Sequence, residues 1–260
     1  MITVPYRLRS AAMDALLLPA LAVAGVLAGA VNAVAGGGSL LVLPALLAAG
    51  VPPVGASVTT VMSVIGGYSA SVAGTWPDLR GRSARLRSLV PLVLAGAVTG
   101  CVLLLRTPAA AYAVIMPVLV FAASLLLAAQ GRVSGWLGDF HPVWLRRLLL
   151  FTVGVYGGYF GSVLGVILLA VLGLMLTEPL SRLVAVKNVL QLAVGVVTTT
   201  VYALFGPAYW PAVAVLIPTT LLGGYVGSRL GRRLPARTLR RVVVAFGLTL
   251  SVLLLLRALT

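Results

Sequence analysis

Acidic side chains are nearly missing from this chain of 260 residues, where four Asp and Glu stand against nineteen Lys and Arg. The four, Asp14, Asp78, Asp139 and Glu178, all fall at or near connectors. No carboxylate pair therefore sits inside an apolar run, where it could relay protons or hold sodium. Cysteine is present only as Cys101, which excludes a disulfide framework within one chain. The single histidine, His141, cannot assemble a zinc site or a haem pair with it. No catalytic triad, metal-ligand cluster or nucleotide motif can be composed, so an enzyme is the poorest reading and neither a cofactor nor a metal is expected. Charged residues of both signs make up 9% of the chain, against about 25% in a soluble domain.

Hydrophobic sequence fills the space: 61% of residues are apolar. The runs are long enough to cross a hydrocarbon core that takes ~20 residues per helix. An all-α, polytopic membrane protein follows, with the lipid bilayer as its first partner. The net charge of +15 invites a nucleic-acid reading, but its distribution opposes one. Arginines gather in short connectors: Arg80, Arg82, Arg85 and Arg87; Arg146 and Arg147; Arg232, Arg233, Arg237, Arg240 and Arg241. Basic connectors between apolar spans mark cytoplasmic loops. The N-terminal stretch has basic residues before an apolar run, as a signal peptide does, yet that run continues unbroken and reads as the first span.

The sequence is organised around Gly25 to Gly50, GVLAGAVNAVAGGGSLLVLPALLAAG. An apolar helix, about Ala15–Ala35, runs into Gly36, Gly37 and Gly38, and a helix of about a dozen residues, Ser39–Ala49, follows. Glycine costs roughly 1 kcal/mol of helix relative to Ala, so three together at membrane depth read as a deliberate break. Such a break is tolerable only when buried in protein or lining a cavity. It is not a P-loop, because no Lys-Ser or Lys-Thr follows. Tight helix packing explains the small-residue spacing of Gly154, Gly157, Gly158 and Gly161 well, and the consecutive run less well.

The next span, about Gly55–Gly74, is flecked with Ser57, Thr59, Thr60, Ser63, Ser69 and Ser71. An arginine-rich loop and two plain spans, about Ser88–Leu105 and Ala110–Gln130, complete the first half. After the polar connector Gly131–Arg147 the pattern begins again. At an offset of 129 residues Gly25 meets Gly154, Gly29 meets Gly158, Gly36 meets Gly165 and Ala56 meets Ala185. The parts recur in order: a break near Gly165, a short helix Val166–Leu176, a polar span Leu183–Phe205, then spans near Pro211–Leu230 and Arg237–Leu259. This is an internal duplication of the kind many secondary transporters carry. Residues 1–130 form the first repeat, 131–147 a cytoplasmic connector and 148–260 the second repeat. Equivalent loops differ in charge: Asp78–Arg87 is basic, whereas Gly206–Trp210 carries none. The repeats are therefore expected to be inverted, each a broken helix hairpin plus three transmembrane helices, with both termini outside.

Lys187, the sole lysine, lies a few residues inside the second polar span. An ionisable group there is a functional-site hypothesis by default, with snorkelling to the interface as the plain alternative. Asn188 and Gln191 add amides at helical spacing, and Thr59, Thr60 and Ser63 add hydroxyls in the first half. The helix N-termini after the two breaks offer free N–H groups and a positive dipole end to an oxyanion. The candidate substrate-binding set is Asn32, Gly36, Gly37, Gly38, Ser39, Thr59, Thr60, Ser63, Ser162, Gly165, Lys187, Asn188 and Gln191. Trp76, Trp136, Trp144 and Trp210 stand at span ends, as interfacial anchors do.

These segments resemble the sulfite exporter TauE/SafE family, bacterial membrane proteins that move sulfur-containing anions outward. The resemblance runs over about residues 12–258. It is carried by AGAVNAVAGGGSLLVLPALLAAGVPP in the first half, GGYFGSVLGVILLAVLGLML in the second, and GGYVGSRLGRRLP near the end. It implies an exporter in the bacterial inner membrane acting on sulfite or an organosulfonate, and rocking of one repeat against the other is the expected route of alternating access. Many members carry Thr-Asn-Lys where this chain reads Thr59-Thr60-Val61, so the amide and positive charge remain only at Lys187-Asn188. A passive anion channel and a non-transporting assembly partner are the rival readings, and self-association is the one protein partner the sequence leaves open.

Overall fold

The computed structural model describes residues 11–79, 81, 83–133, 142–176, 178–230 and ten positions between 241 and 256. Every regular element among them is helical. Lipid offers no partners to backbone N–H and C=O groups, so apolar segments meet that demand internally, as helices. The order is α1 Ala11–Ala35, α2 Ser39–Ala48, α3 Pro53–Ser63, α4 Ile65–Thr75, a 3-10 turn Trp76–Leu79, α5 Ser83–Arg106, α6 Ala109–Val133, α7 Val143–Tyr159, α8 Leu164–Met175, α9 Leu180–Phe205 and α10 Trp210–Leu230. The described positions between 241 and 256 are helical as well. Among the described residues five helices are long and apolar enough to cross a membrane: Pro53–Leu79, taken through α3, α4 and the 3-10 turn, then Leu86–Arg106, Ala109–Ala129, Ser181–Phe205 and Trp210–Arg229.

Several boundaries differ from the sequence expectation. The connector expected over 131–147 is shorter, because 131–133 close α6 and Val143 already opens α7. His141, Asp139 and Trp136 lie outside the described residues. The polar span expected as one helix over 55–74 is two, parted at Val64. There the Thr220 hydroxyl donates to the Ser63 carbonyl at 2.7 Å. Gly66 also lies so close to the Ile217 carbonyl that no Cβ would fit. Thr220→Val keeps the volume and removes the donor. A loss of about 1 kcal/mol is expected, read as a lower Tm of the purified protein; an unchanged Tm would show that the α3–α4 parting does not depend on this bond.

The halves interlock through two seams of small residues. On one, Gly29 of α1 abuts the Thr220 carbonyl and Gly224 of α10, and Gly227 abuts Ala30. On the other, Gly158 of α7 abuts the Ala97 carbonyl and Cys101 of α5, and Gly100 abuts Val155. Where no water drives helices together, backbones gain by approaching closely, and small residues permit it. The seams are alike in kind: α1 packs on α10, and α7 packs on α5. Partners rise together in number along each seam, so α1 runs parallel to α10 and α7 parallel to α5. By contrast α4 crosses α9 in the opposite sense, Ser71 meeting Asn188 and Ile65 meeting Gly195.

Candidate functional site

The first break is set by Gly36, whose φ of +79° lies where a Cβ would be strained. Its N–H still donates back to the Val31 and Asn32 carbonyls at 3.2 and 3.1 Å, closing α1 before the chain reverses. Gly37 and Gly38 have a different reason. A Cβ on Gly37 would meet Leu127 of α6 at 2.8 Å, and one on Gly38 would fall inside the Ala28 carbonyl of α1. Tight packing, which suited this run less well on sequence grounds, accounts for two of its three glycines.

The second break lies earlier than expected. Gly165 belongs to the first turn of α8, and the reversal occurs over Gly161–Val163. Gly161 has φ +69° and Val163 φ +60°. A β-branched residue in that left-handed region is an outlier, of the kind that persists only when the surroundings over-determine it. Here they do: the Tyr156 hydroxyl donates to the Ser162 carbonyl at 2.6 Å, and the Val163 N–H donates to the Ser39 hydroxyl at 3.3 Å. That second bond joins the two breaks directly. A Cβ on Gly36 would stand 3.5 Å from the Val166 nitrogen. The N-terminal turns of α2 and α8 thus meet, from opposite halves, at one crossing.

α9 runs past this crossing. A Cβ on Gly165 would lie 2.8 Å from the Gln191 Nε2, so the Gln191 side chain rests on the glycine. One turn earlier, Asn188 Nδ2 donates to the Ser71 carbonyl and the Thr75 hydroxyl, both at 3.1 Å. Lys187 is 6% exposed, and among the described residues it makes no hydrogen bond or ion pair. It is also the one charged side chain that is buried among them. Asn32 lies beside Gly38, with its amide 3.9 Å from a Cβ on Gly67. On α3, the side chain of Val61, the chain neighbour of Thr60, touches Gly161.

The expected residues divide into two groups. Ser39 joins the breaks, Thr59 accepts from the Tyr209 N–H at 2.9 Å, and the Ser63 hydroxyl donates to the Thr59 carbonyl at 2.6 Å. These three are already engaged in holding the scaffold. Asn32 Nδ2, Thr60 Oγ1, Ser162 Oγ, Asn188 Oδ1 and Gln191 Nε2 are buried without a partner among the described residues. Only Thr199 Oγ1 joins them from outside the expected set. An orphaned buried polar atom costs about 1–3 kcal/mol, and each calls for a reason. Asn32 and Ser162 belong to the two breaks, Gln191 rests on the second, and Asn188 and Lys187 stand within one turn of Gln191 on α9, which makes this crossing the candidate polar binding locus.

Other contributors were not visible in sequence. Tyr68 of α4 packs on Gly195 and faces Gln191, while Tyr156 pins the second break. Tyrosines inside a span read as ordinary amphipathic filler, and no local signal sets either of these apart. Among the described residues no cluster of His, Cys, Asp or Glu could hold a metal ion.

Comparison with known proteins bears on this geometry. The chain is 28% identical over 252 residues to the "Probable membrane transporter protein ORF9" of Sinorhizobium sp, covering 92% of each. It is 27% identical over 223 residues to a "Probable membrane transporter protein" of Haemophilus influenzae, covering 82% of this chain and 85% of that one. It is 26% identical over 245 residues to the "Probable membrane transporter protein YfcA" of Escherichia coli K12, covering 92% and 90%. No solved structure matches it. The family described as "Sulfite exporter TauE/SafE" matches residues 21–254. Helices long enough to span, two interrupted segments meeting at a polar locus and a family match across nearly the whole length agree: this chain belongs to the TauE/SafE sulfite exporter family of membrane transporters.

Proposed function

We propose that the protein is a secondary transporter that exports a small oxyanion, sulfite or an organosulfonate, across the bacterial inner membrane by alternating access. The observation that carries the reading is the set of orphaned polar atoms on the two breaks and on α9, which runs past them with buried, unpaired Lys187 one turn from Gln191. A small oxyanion satisfies both needs at once, offering acceptor oxygens to the donors and a counter-charge to the ammonium. The family's own description supplies the sulfur chemistry. Within this reading, residues 1–130 and 148–260 are inverted repeats joined by the 131–147 connector, with both termini extracytoplasmic. The opposite sense of α4 and α9, equivalent elements of the duplication, supports the inversion, as does the absence of charge in Gly206–Trp210 against the basic loops. Rocking would shear the two small-residue seams, whose smooth surfaces favour sliding of one half on the other.

The test is efflux from proteoliposomes loaded with sulfite or methanesulfonate. Saturable flux accelerated by anion on the opposite side is expected; flux that rises linearly without saturation would sink the transporter reading in favour of a channel. Gly165→Ala provides a local check, because its methyl must displace the Gln191 amide. Anion affinity should fall by roughly tenfold, the equivalent of one lost hydrogen bond to a charged group, with little change in Tm.

A further inference from the structure

Resting on that anion-site reading and going beyond it, we infer that the site selects a singly charged anion that carries one hydrogen-bond donor of its own, and rejects dianions of similar size, so that sulfite is taken as hydrogensulfite. The first half of this inference follows from charge. Lys187 is the one buried charged side chain among the described residues. The helix termini do not add a second full charge, because each break joins the C-terminal end of one helix (α1 or α7) to the N-terminal end of the next (α2 or α8). Dipole ends of opposite sign therefore sit side by side and largely offset. One positive charge balances one negative charge. A second negative charge would be buried without a counter-ion, the most expensive arrangement available in a low-dielectric interior.

The second half follows from the donor and acceptor inventory. Asn32 Nδ2 and Gln191 Nε2 can only donate, the Thr60 and Ser162 hydroxyls can do either, and Lys187 only donates. Asn188 Oδ1 is the exception, an orphan that can only accept. Its orientation is forced, since a carbonyl such as that of Ser71 can take only the amide nitrogen, which therefore points at α4 and turns the oxygen away. An anion made solely of acceptor oxygens leaves Asn188 Oδ1 unsatisfied. A hydroxyl on the anion satisfies it, and the analogue lacking that group loses affinity because a buried acceptor stays bare.

Three sulfonates of fixed charge test both halves on the full chain purified in detergent, by calorimetry and thermal shift at constant ionic strength: methanesulfonate, hydroxymethanesulfonate and methanedisulfonate. Hydroxymethanesulfonate should bind about tenfold tighter than methanesulfonate, in line with one buried acceptor satisfied. Methanedisulfonate should bind on the order of a hundredfold more weakly than either. Equal or tighter binding of the disulfonate overturns the charge limit, and equal binding of the two monoanions overturns the donor requirement. Those failures leave the anion site standing. The site itself falls if none of the three binds, or if Lys187→Met binds all three as the unaltered protein does.

Discussion

A methyl group added at Gly38 is expected to destabilise the protein by about 3 kcal/mol or more, at the upper end of what overpacking a core costs. The reason is rigid backbone. The new Cβ would fall inside the carbonyl of Ala28 and only 3.0 Å from the Asn32 Cβ. A flexible side chain could rotate away from such a clash, but a helix carbonyl cannot. Separation of α2 from α1 would be the only relief, and α2 is buried through Leu40, Val42, Leu43 and Leu46. The same displacement would move Ser39 away from the Val163 N–H and part the two breaks. Gly74→Ala is the matching control, because its Cβ would meet nothing closer than Ser228 at 3.4 Å, and its effect should stay within about 0.5 kcal/mol. Thermal unfolding of the two variants beside the parent decides the matter. Equal midpoints for all three would mean that α1 and α2 do not pack as described.

Lys187→Met should separate function from stability. Met nearly conserves the volume of the lysine stem, so no large cavity opens. On the proposed function, anion efflux from proteoliposomes falls on the order of a hundredfold, the scale on which losing one partner of a buried charge pair is felt. Stability of the ligand-free protein should hold or rise by about 1 kcal/mol, because an unpaired cation is removed from the interior. Most substitutions at a buried position do the reverse and lower the melting point. Lys187→Arg, which keeps the charge on a larger head group, should retain part of the flux. Unchanged efflux and affinity in the Met variant would take Lys187 out of the mechanism, whereas a large fall in Tm would mark it as a structural residue.

Much of the architecture was written in local sequence. Apolar runs with few charges had no alternative to helix in lipid, and glycines with proline punctuation showed where helices stop. The Gly36 break was legible because glycine reaches φ +79° without strain, whereas a residue with a Cβ has to be held there. For the second break the glycine pattern points to Gly165, whereas the reversal passes through Val163. No propensity puts a β-branched residue in the left-handed region; the Ser39 and Tyr156 bonds hold it there, and both come from distant positions. The parting of α3 from α4 has no local signature for the same reason, Thr220 lying 157 residues away in the chain.

The chemistry of the candidate site divides along the same line. Residue types alone announced a lone lysine with amides and hydroxyls inside spans, because an ionisable or polar group in hydrocarbon is too costly to keep without use. They could not say which of those groups were free. Thr59, Ser63 and Ser39 looked equal to Thr60, Ser162 and Asn32 in sequence, yet the first three are engaged by Tyr209, Thr59 and Val163, and the others are not. Whether a polar atom is satisfied depends on what stands within about 3 Å of it, and those neighbours arrive from helices far apart along the chain. Composition and periodicity thus settled membrane, helix and the first break, each a matter of a residue and its near neighbours; the meeting of the two breaks, with Gln191 of α9 laid on the second, came from packing, which brings together what the chain keeps more than a hundred residues apart.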